Sequence, residues 1–242
     1  MNENVRKDYE EAKQFWNTAF SLNEEEKKEA EGNVDKENAI EQLAPSEKLY
    51  HAVKSLGEKK KVLDYGCGKG WAALIAAKSG CTDVTAVDVS EKAVEAVKHY
   101  VKVYGVEDYV WTQHIFEEWL AQVPSDTYDG IVCSNVLDVI PEEVAEHIIE
   151  NFARIAKEDA LVIIGMNYYM EPKDNPDKKM TVKDGKRVYV DGILRLVPRT
   201  DEAWIESFKK YFVLEKLEHF AWPGENEERR RLFYLRRKKL YS

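Results

Sequence analysis

Lys61-Val62-Leu63-Asp64-Tyr65-Gly66-Cys67-Gly68-Lys69-Gly70, followed by helix formers over residues 71–79 and then by Val84-Thr85-Ala86-Val87-Asp88, reads as strand, glycine loop, helix, strand, acid. Without a Cβ, Gly66, Gly68 and Gly70 let the backbone turn sharply and approach a ligand closely. Asp88 ends the second strand, where such units set a carboxylate against a ribose diol. The unit is therefore expected to hold a nucleoside. A dinucleotide fingerprint requires G-x-G-x-x-G, but position 71 is Trp and the third glycine comes one residue early, at Gly70. Asp64, at the first strand end, would also meet a pyrophosphate with like charge. A cationic ligand without phosphates fits the loop better.

The D-x-G-x-G-x-G pattern from Asp64 to Gly70, the downstream Asp88 and the order of strands over residues 61–169 resemble the class I S-adenosylmethionine-dependent methyltransferases. That resemblance implies an α/β fold of three layers, Rossmann-like, around a seven-stranded, mostly parallel sheet whose last strand is antiparallel. Ser90 is positioned to cap a helix carrying Ala93, Val97, Tyr100, Val101 and Tyr104, which Gly105 ends. Residues 109–116 read as a strand, residues 128–135 as a buried strand, and Pro141 opens a helix with an apolar stripe of Val144, Ile148, Phe152 and Ile155. Residues 161–166 form another buried strand. Strands and helices alternating in this way predict a parallel sheet with the ligand outside its C-terminal strand ends. Asp184-Gly185 and Asp191-Gly192 predict a β-hairpin inserted after the fifth strand. Thr200 starts a helix carrying Ile205, Phe208 and Phe212, and residues 213–220 and 231–236 are the closing strands. We expect one domain: an N-terminal helical cap over residues 1–57, a cofactor core over 58–170, the inserted hairpin over 171–199, and core elements over 200–242.

The resemblance also assigns roles. Asp64 and the backbone of Gly66, Cys67, Gly68 and Gly70 are expected to hold the methionine part of S-adenosylmethionine, and Asp88, with Val89 beside it, the ribose. A carboxylate can accept from both ribose hydroxyls; the alternative role for Asp88 is to cap the following helix with Ser90. Many members carry an acid in a Gly-Asp-Ala segment against adenine; the matching stretch here is His114-Ile115-Phe116-Glu117. Ile115 and Phe116, through their backbone and apolar side chains, or Glu117 in the acid's place, are the adenine candidates. The stretch from Ser134 to Ile140 matches a segment that runs beneath the cofactor toward the acceptor, with Asn135, Val136 and Leu137 as the expected cofactor contacts. That segment lacks the Asn-Pro-Pro-aromatic pattern of enzymes that methylate exocyclic amines of DNA bases or glutamine amides.

Methyl transfer from a sulfonium is an in-line displacement, for which alignment of acceptor, methyl and sulfur supplies much of the rate. No universal catalytic residue is expected. Asp138 is a candidate to orient an acceptor or act as a base, or else a turn residue. Tyr168 and Tyr169 are candidates for the acceptor pocket, or else half-buried packing.

Composition sets outer bounds. A 242-residue chain suffices for one large α/β core. Its net charge of -9 argues against nonspecific nucleic-acid binding. The basic runs 229–231 and 236–239 are read as a solubilised edge strand rather than an RNA patch. The 3 cysteines lack C-x-x-C spacing and the 5 histidines are dispersed, so no metal and no disulfide framework is expected. The polar N-terminus and the want of an apolar run of ~20 residues predict a cytoplasmic protein with no membrane association. The charge run over residues 24–31 is read as a solvated face or linker, and the aromatics Tyr9, Phe15, Trp16 and Phe20 before it as packing or a lid. The expected function is methyl transfer to a small-molecule acceptor; RNA or protein methylation, and non-catalytic cofactor binding, are the alternatives. Oligomeric state and acceptor identity are not readable here.

Overall fold

The computed structural model describes residues 3–34, 40–171 and 179–239. At the N-terminus, α1 (Glu3–Ala19) buries Val5, Asp8, Tyr9 and Ala12, a stripe at helical spacing. Next comes α2 (Glu24–Asn33), the charge run, which is a helix and not a linker. Its cause is local: Asn23 accepts from the Glu26 N–H while the Glu26 side chain accepts from Asn23 N–H, a reciprocal capping box. After α3 (Glu47–Lys54), capped by Ser46, the core begins with β1 (Val62–Tyr65), α4 (Trp71–Lys78), β2 (Val84–Asp88) and α5 (Glu91–Val103). It continues with β3 (Val110–His114), the short α6 (Trp119–Gln122), β4 (Tyr128–Ser134), α7 (Glu142–Ile155) and β5 (Ala156–Met166). Beyond these lie β6 (Met180–Lys183), β7 (Arg187–Val190), β8 (Ile193–Leu196), α8 (Asp201–Phe208), β9 (Phe212–Phe220) and β10 (Arg230–Arg237).

Seven strands form one sheet in the order β3-β2-β1-β4-β5-β10-β9. The first five are parallel, and β10 runs antiparallel to both its neighbours. This is the expected Rossmann-like architecture. Adjacent strand residues point to opposite faces, so Leu63, Ile131 and Ile164 join one apolar core with α7 and α8, while Val62, Val132 and Ile163 join another with α3, α4 and α5. Strands buried on both sides need helices on both sides.

Three expectations are corrected. The insertion after β5 is not a single hairpin but the three-stranded antiparallel sheet β6-β7-β8. Each Asp-Gly pair makes its own tight turn, with φ of 54° and 63° at Asp184 and Gly185 and of 51° and 82° at Asp191 and Gly192. The segment 172–178 of the expected insertion lies outside the described residues. Phe212 belongs to β9, because α8 ends at Phe208. The basic C-terminal strand is not an edge: β10 lies between β5 and β9. Its arginines are spent internally, Arg230 on Glu225, Arg236 on Glu215, and Arg237 on the Ala153 carbonyl.

The small sheet reaches α1. The Tyr189 hydroxyl donates to Asp8 Oδ2 at 2.6 Å, Arg187 approaches the same oxygen at 3.5 Å, and the Arg195 guanidinium lies 3.9 Å from the Phe15 ring centre. At the other end of α1, Asn17 Oδ1 accepts from Ser90 Oγ at 3.0 Å and from Lys92 N–H at 3.2 Å. Asp8 is 8% exposed, so its loss leaves a buried hydroxyl and a guanidinium short of their acceptor. Asp8→Ala is expected to cost about 1–3 kcal/mol and to speed amide hydrogen exchange along α1 more than along α5. Unchanged protection of α1 would show that its apolar face alone holds it.

Candidate functional site

The glycine turn is built from the strand ends beneath it. Gly66, Gly68 and Gly70 all take positive φ, at 69°, 53° and 83°. A Cβ on Gly66 would stand 2.3 Å from Val136 Cγ2, and one on Gly70 would stand 2.8 Å from Val97 Cγ2, so these two positions resist a side chain by space as well as by torsion; at Gly68 the nearest atom, Phe20 Cε1, is 3.1 Å away. The Gly66 and Cys67 N–H groups donate to the Val87 carbonyl, which locks the turn to the end of β2.

Two buried carboxylates complete the cradle. Asp64 Oδ2 accepts from the Ala73 N–H at 3.0 Å, so the residue caps α4 from the end of β1. Asp88 Oδ2 accepts from the Gly68 N–H at 2.9 Å and its Oδ1 from the Ser90 N–H at 2.8 Å. Burial pushes the Asp64 carboxyl up to about 7, opposed by the Ala73 bond and reinforced by the nearby Asp88 charge. Burial likewise raises Asp88, against its bonds to Gly68 and Ser90.

Above the turn lies a cavity of about 360 Å³. Gly66, Cys67, Gly68, Asp88, Val89, Asn135 and Val136 line it from the core. Tyr9, Ala12, Lys13 and Trp16 of α1, with Phe20 just past its end, close it from the other side, and Val139, Ile140, Ile148 and Trp222 complete the wall. Its volume falls in the usual range for small-molecule sites. The predicted residues do not all gather here. Asp64 lies behind the turn, and Gly70 packs against Val97. Leu137 is a core residue, 1% exposed. Ile115 and Phe116 border an adjoining hollow that shares Lys13 and Val89 with the cavity, and Phe116 is 71% exposed. Glu117 is exposed beside them.

The acceptor-side candidates are placed elsewhere. Asp138 is fully buried: its Oδ2 accepts from the Asn167 N–H at 2.8 Å, its backbone carbonyl accepts from Val197 N–H, and Arg231 lies 4.0 Å away. It staples the end of β5, the exit of β8 and the start of β10, and burial raises its carboxyl despite Arg231. Tyr168 and Tyr169 border a separate open hollow with Thr200, Asp201, His219 and Arg229. The sequence gives no sign of Trp222 or Glu26 as elements of the site. Glu26 pairs with Lys69 of the glycine turn, and the Asn23-x-x-Glu26 spacing signals only a helix start. For Trp222, in an irregular connection, no local pattern existed.

The lining fits S-adenosylmethionine, a polar and apolar nucleoside with an amino-acid tail. Besides the Cβ-free cradle, Ser134 Oγ and Asn135 Oδ1 are buried on lining residues with no hydrogen-bond partner among the described residues. Such atoms call for a polar ligand. Among the described residues no three His, Cys, Asp or Glu side chains cluster to hold a metal, and no helix is long and apolar enough to cross a membrane.

Comparison with known proteins gives the same direction. Residues 36–166, more than half of the chain, match a family described as a methyltransferase domain. A ubiquinone biosynthesis O-methyltransferase of Neisseria meningitidis is 27% identical over 65% of this chain and 60% of its own length. A ribosomal protein L11 methyltransferase of Thermotoga petrophila is 37% identical over 48% of this chain and 40% of its own. The chain thus spans about half the length of these curated relatives. Among solved structures, the 1,6-didemethyltoxoflavin-N1-methyltransferase of Burkholderia thailandensis superposes with a TM-score of 0.64 at 14% identity, over 82% of this chain and 80% of that one.

The raised carboxyl of Asp64 sets a pH dependence. A group whose folded pKa lies above its unfolded value of 3.8 stabilises the fold fully below that value and loses the contribution as pH rises through the folded value, about 7. Urea unfolding of the ligand-free protein is therefore expected to lose on the order of 1–4 kcal/mol between about pH 4 and pH 7, and Asp64→Asn to flatten that slope. An equal slope in both proteins would assign the effect to other groups.

Proposed function

The chain belongs to the class I S-adenosylmethionine-dependent methyltransferase family, and from that premise we propose that it transfers the methyl group of S-adenosylmethionine to a small-molecule acceptor. The observation that carries this reading is the roof. Tyr9 and Trp16 of helix α1, with Phe20 just past its end, cover the glycine turn, so the cavity is enclosed by side chains on two sides and suits a compact acceptor rather than a polymer strand. Bound there, the cofactor supplies an activated methyl on a cationic sulfur. The Gly66–Gly68 backbone and Asn135 hold the amino-acid end, and Asp88 takes the ribose. Val89 and the adjoining hollow at Ile115 and Phe116 take the base. Each Asp88 oxygen already accepts one backbone N–H and keeps capacity for a hydroxyl. The chain's part in catalysis is to align acceptor and methyl and to exclude water.

The relatives divide between a small-molecule and a protein acceptor, by their names. What favours the small molecule here is that roof, together with the use of the C-terminal arginines in internal ion pairs and carbonyl contacts, which leaves little of the basic tail for RNA.

Incubation with methyl-labelled cofactor and separated metabolite, RNA and protein fractions is expected to label the metabolite fraction. Label in RNA or protein instead would reject this acceptor class. Asp88→Ala is expected to weaken S-adenosylhomocysteine binding about 10–100-fold by calorimetry, through lost charge-assisted hydrogen bonds. An unchanged affinity would remove Asp88 from the ribose site.

A further inference from the structure

The seven-stranded sheet has two outer strands, and the chain treats them differently. At one edge, β9 carries Glu215, Lys216 and Glu218, charged residues of the kind that keep an edge from pairing with another chain. At the other, β3 reads Val110-Trp111-Thr112-Gln113-His114, with no Lys, Arg, Asp or Glu in the strand. Five large apolar or aromatic side chains stand exposed among the described residues, and three of them, Tyr109, Trp111 and Phe116, belong to β3 or its flanks. Phe116 borders the hollow assigned to the base. Tyr109 and Trp111 do not line the cavity, and Trp111 is 74% exposed.

The register shows what this edge offers. The Val84 N–H donates to the Tyr109 carbonyl at 2.9 Å and the Ile115 N–H to the Asp88 carbonyl at 3.0 Å, with Ala86 opposite Thr112. In a parallel ladder alternate residues bond to a given neighbour. Tyr109, Trp111, Gln113 and Ile115 therefore bond toward β2, and the N–H and C=O groups of Thr112 and His114 face outward. Among the described residues β3 pairs with β2 alone. Its side chains alternate as well: Val110 joins the core beside α4 and α5, while Trp111 and Gln113 lie exposed on the opposite face.

The flanks select the occupant. Glu107 and Asp108 precede the strand and Glu117 and Glu118 follow it; all four are exposed and have no ion-pair partner among the described residues. Two copies of this chain joined edge to edge across a two-fold axis would run antiparallel, with the acids at one end of β3 against the acids at the other end of its mate. Like charges set opposite each other destabilise such a pair. A foreign strand with cations at both ends meets acids in either direction.

We infer that the β3 edge is a docking surface for another protein, which adds an extended segment beside Thr112 and His114, uncharged at its centre and basic at both ends. Backbone bonds to these two residues supply the pairing, Trp111 gives the added strand apolar cover, and the four acids choose the charge of its ends. This surface is separate from the acceptor site, because Trp111, Thr112 and His114 do not line the cavity.

The full chain is titrated with a peptide of alternating threonine and valine that carries lysines at both ends, and with the same peptide carrying glutamates there. The lysine peptide is expected to bind about tenfold tighter at low salt, with the gap shrinking at high salt. Residue-resolved amide exchange carries the signature of an added strand. Trp111 and Gln113, already bonded to β2, exchange slowly in the free chain, whereas Thr112 and His114 exchange fast until the lysine peptide is bound. Thr112→Pro removes an outward N–H and leaves the β2 ladder intact, and Trp111→Lys places a cation against the basic peptide; each is expected to weaken binding about tenfold.

The inference is overturned if the glutamate peptide binds as tightly, if neither peptide binds, or if Thr112 and His114 stay fast with the lysine peptide bound. It is also overturned if both variants keep the full affinity. Protection of the same two amides that grows with the concentration of the chain alone would make a second copy the occupant and overturn it too. The peptide order and the exchange pattern are read on the unmodified chain, so they decide the matter even where a variant fails to fold.

Discussion

The turn between β1 and α4 is held by two buried carboxylates, and the rest of the site depends on it. Asp64 takes the Ala73 N–H and Asp88 takes the Gly68 N–H, so the loop is pinned from the strand behind it and from the strand beside it. Neither carboxylate is solvated, and each owes its place to the amides it accepts from. The left-handed torsions at Gly66, Gly68 and Gly70 follow from fitting the turn between Val136, Phe20 and Val97. Once the turn is in place, the ends of β1, β2 and β4 face one concavity, and helices on both sheet faces bury the strands that present it.

What closes that concavity comes from outside the core. Helix α1 is tied at one end to Tyr189 of the small sheet and at the other to Ser90, the cap of α5. Trp222 enters from the connection between β9 and β10, held by Arg230 and Glu225. The floor of the cavity is thus made of short segments at the ends of β1, β2 and β4, and its roof and far wall of segments drawn from both ends of the chain. This division explains how one loop serves proteins with different acceptors: walls can vary without disturbing the turn.

Legibility follows the same line. The glycine turn, the caps at Ser90 and Thr200, and both Asp-Gly turns were readable because each rests on torsion or hydrogen bonding within a few residues. Asp138, Tyr168 and Tyr169 are acceptor candidates by their position after strands, with a turn and half-buried packing as the alternatives; Asp138 is a buried staple beside Arg231 and the tyrosines border another hollow. A strand-end position does not say which way a side chain turns. The arginines at 230, 231 and 236 read as an exposed edge, because sequence order does not reveal that the last strand inserts beside β5 and ahead of β9.

By itself the sequence determined the parallel α/β core, the glycine turn from Gly66 to Gly70, and the acid that ends the second strand. These depend on backbone torsion and on periodicities of a few residues, which are written locally. Only the tertiary structure decided that Asp64 caps a helix behind the turn and that α1 roofs the cavity. It alone decided that Trp16 and Trp222, 206 positions apart in the numbering, line the same space. Those outcomes depend on packing between distant segments, where the energy comes from burial and matched polar groups rather than from any local pattern.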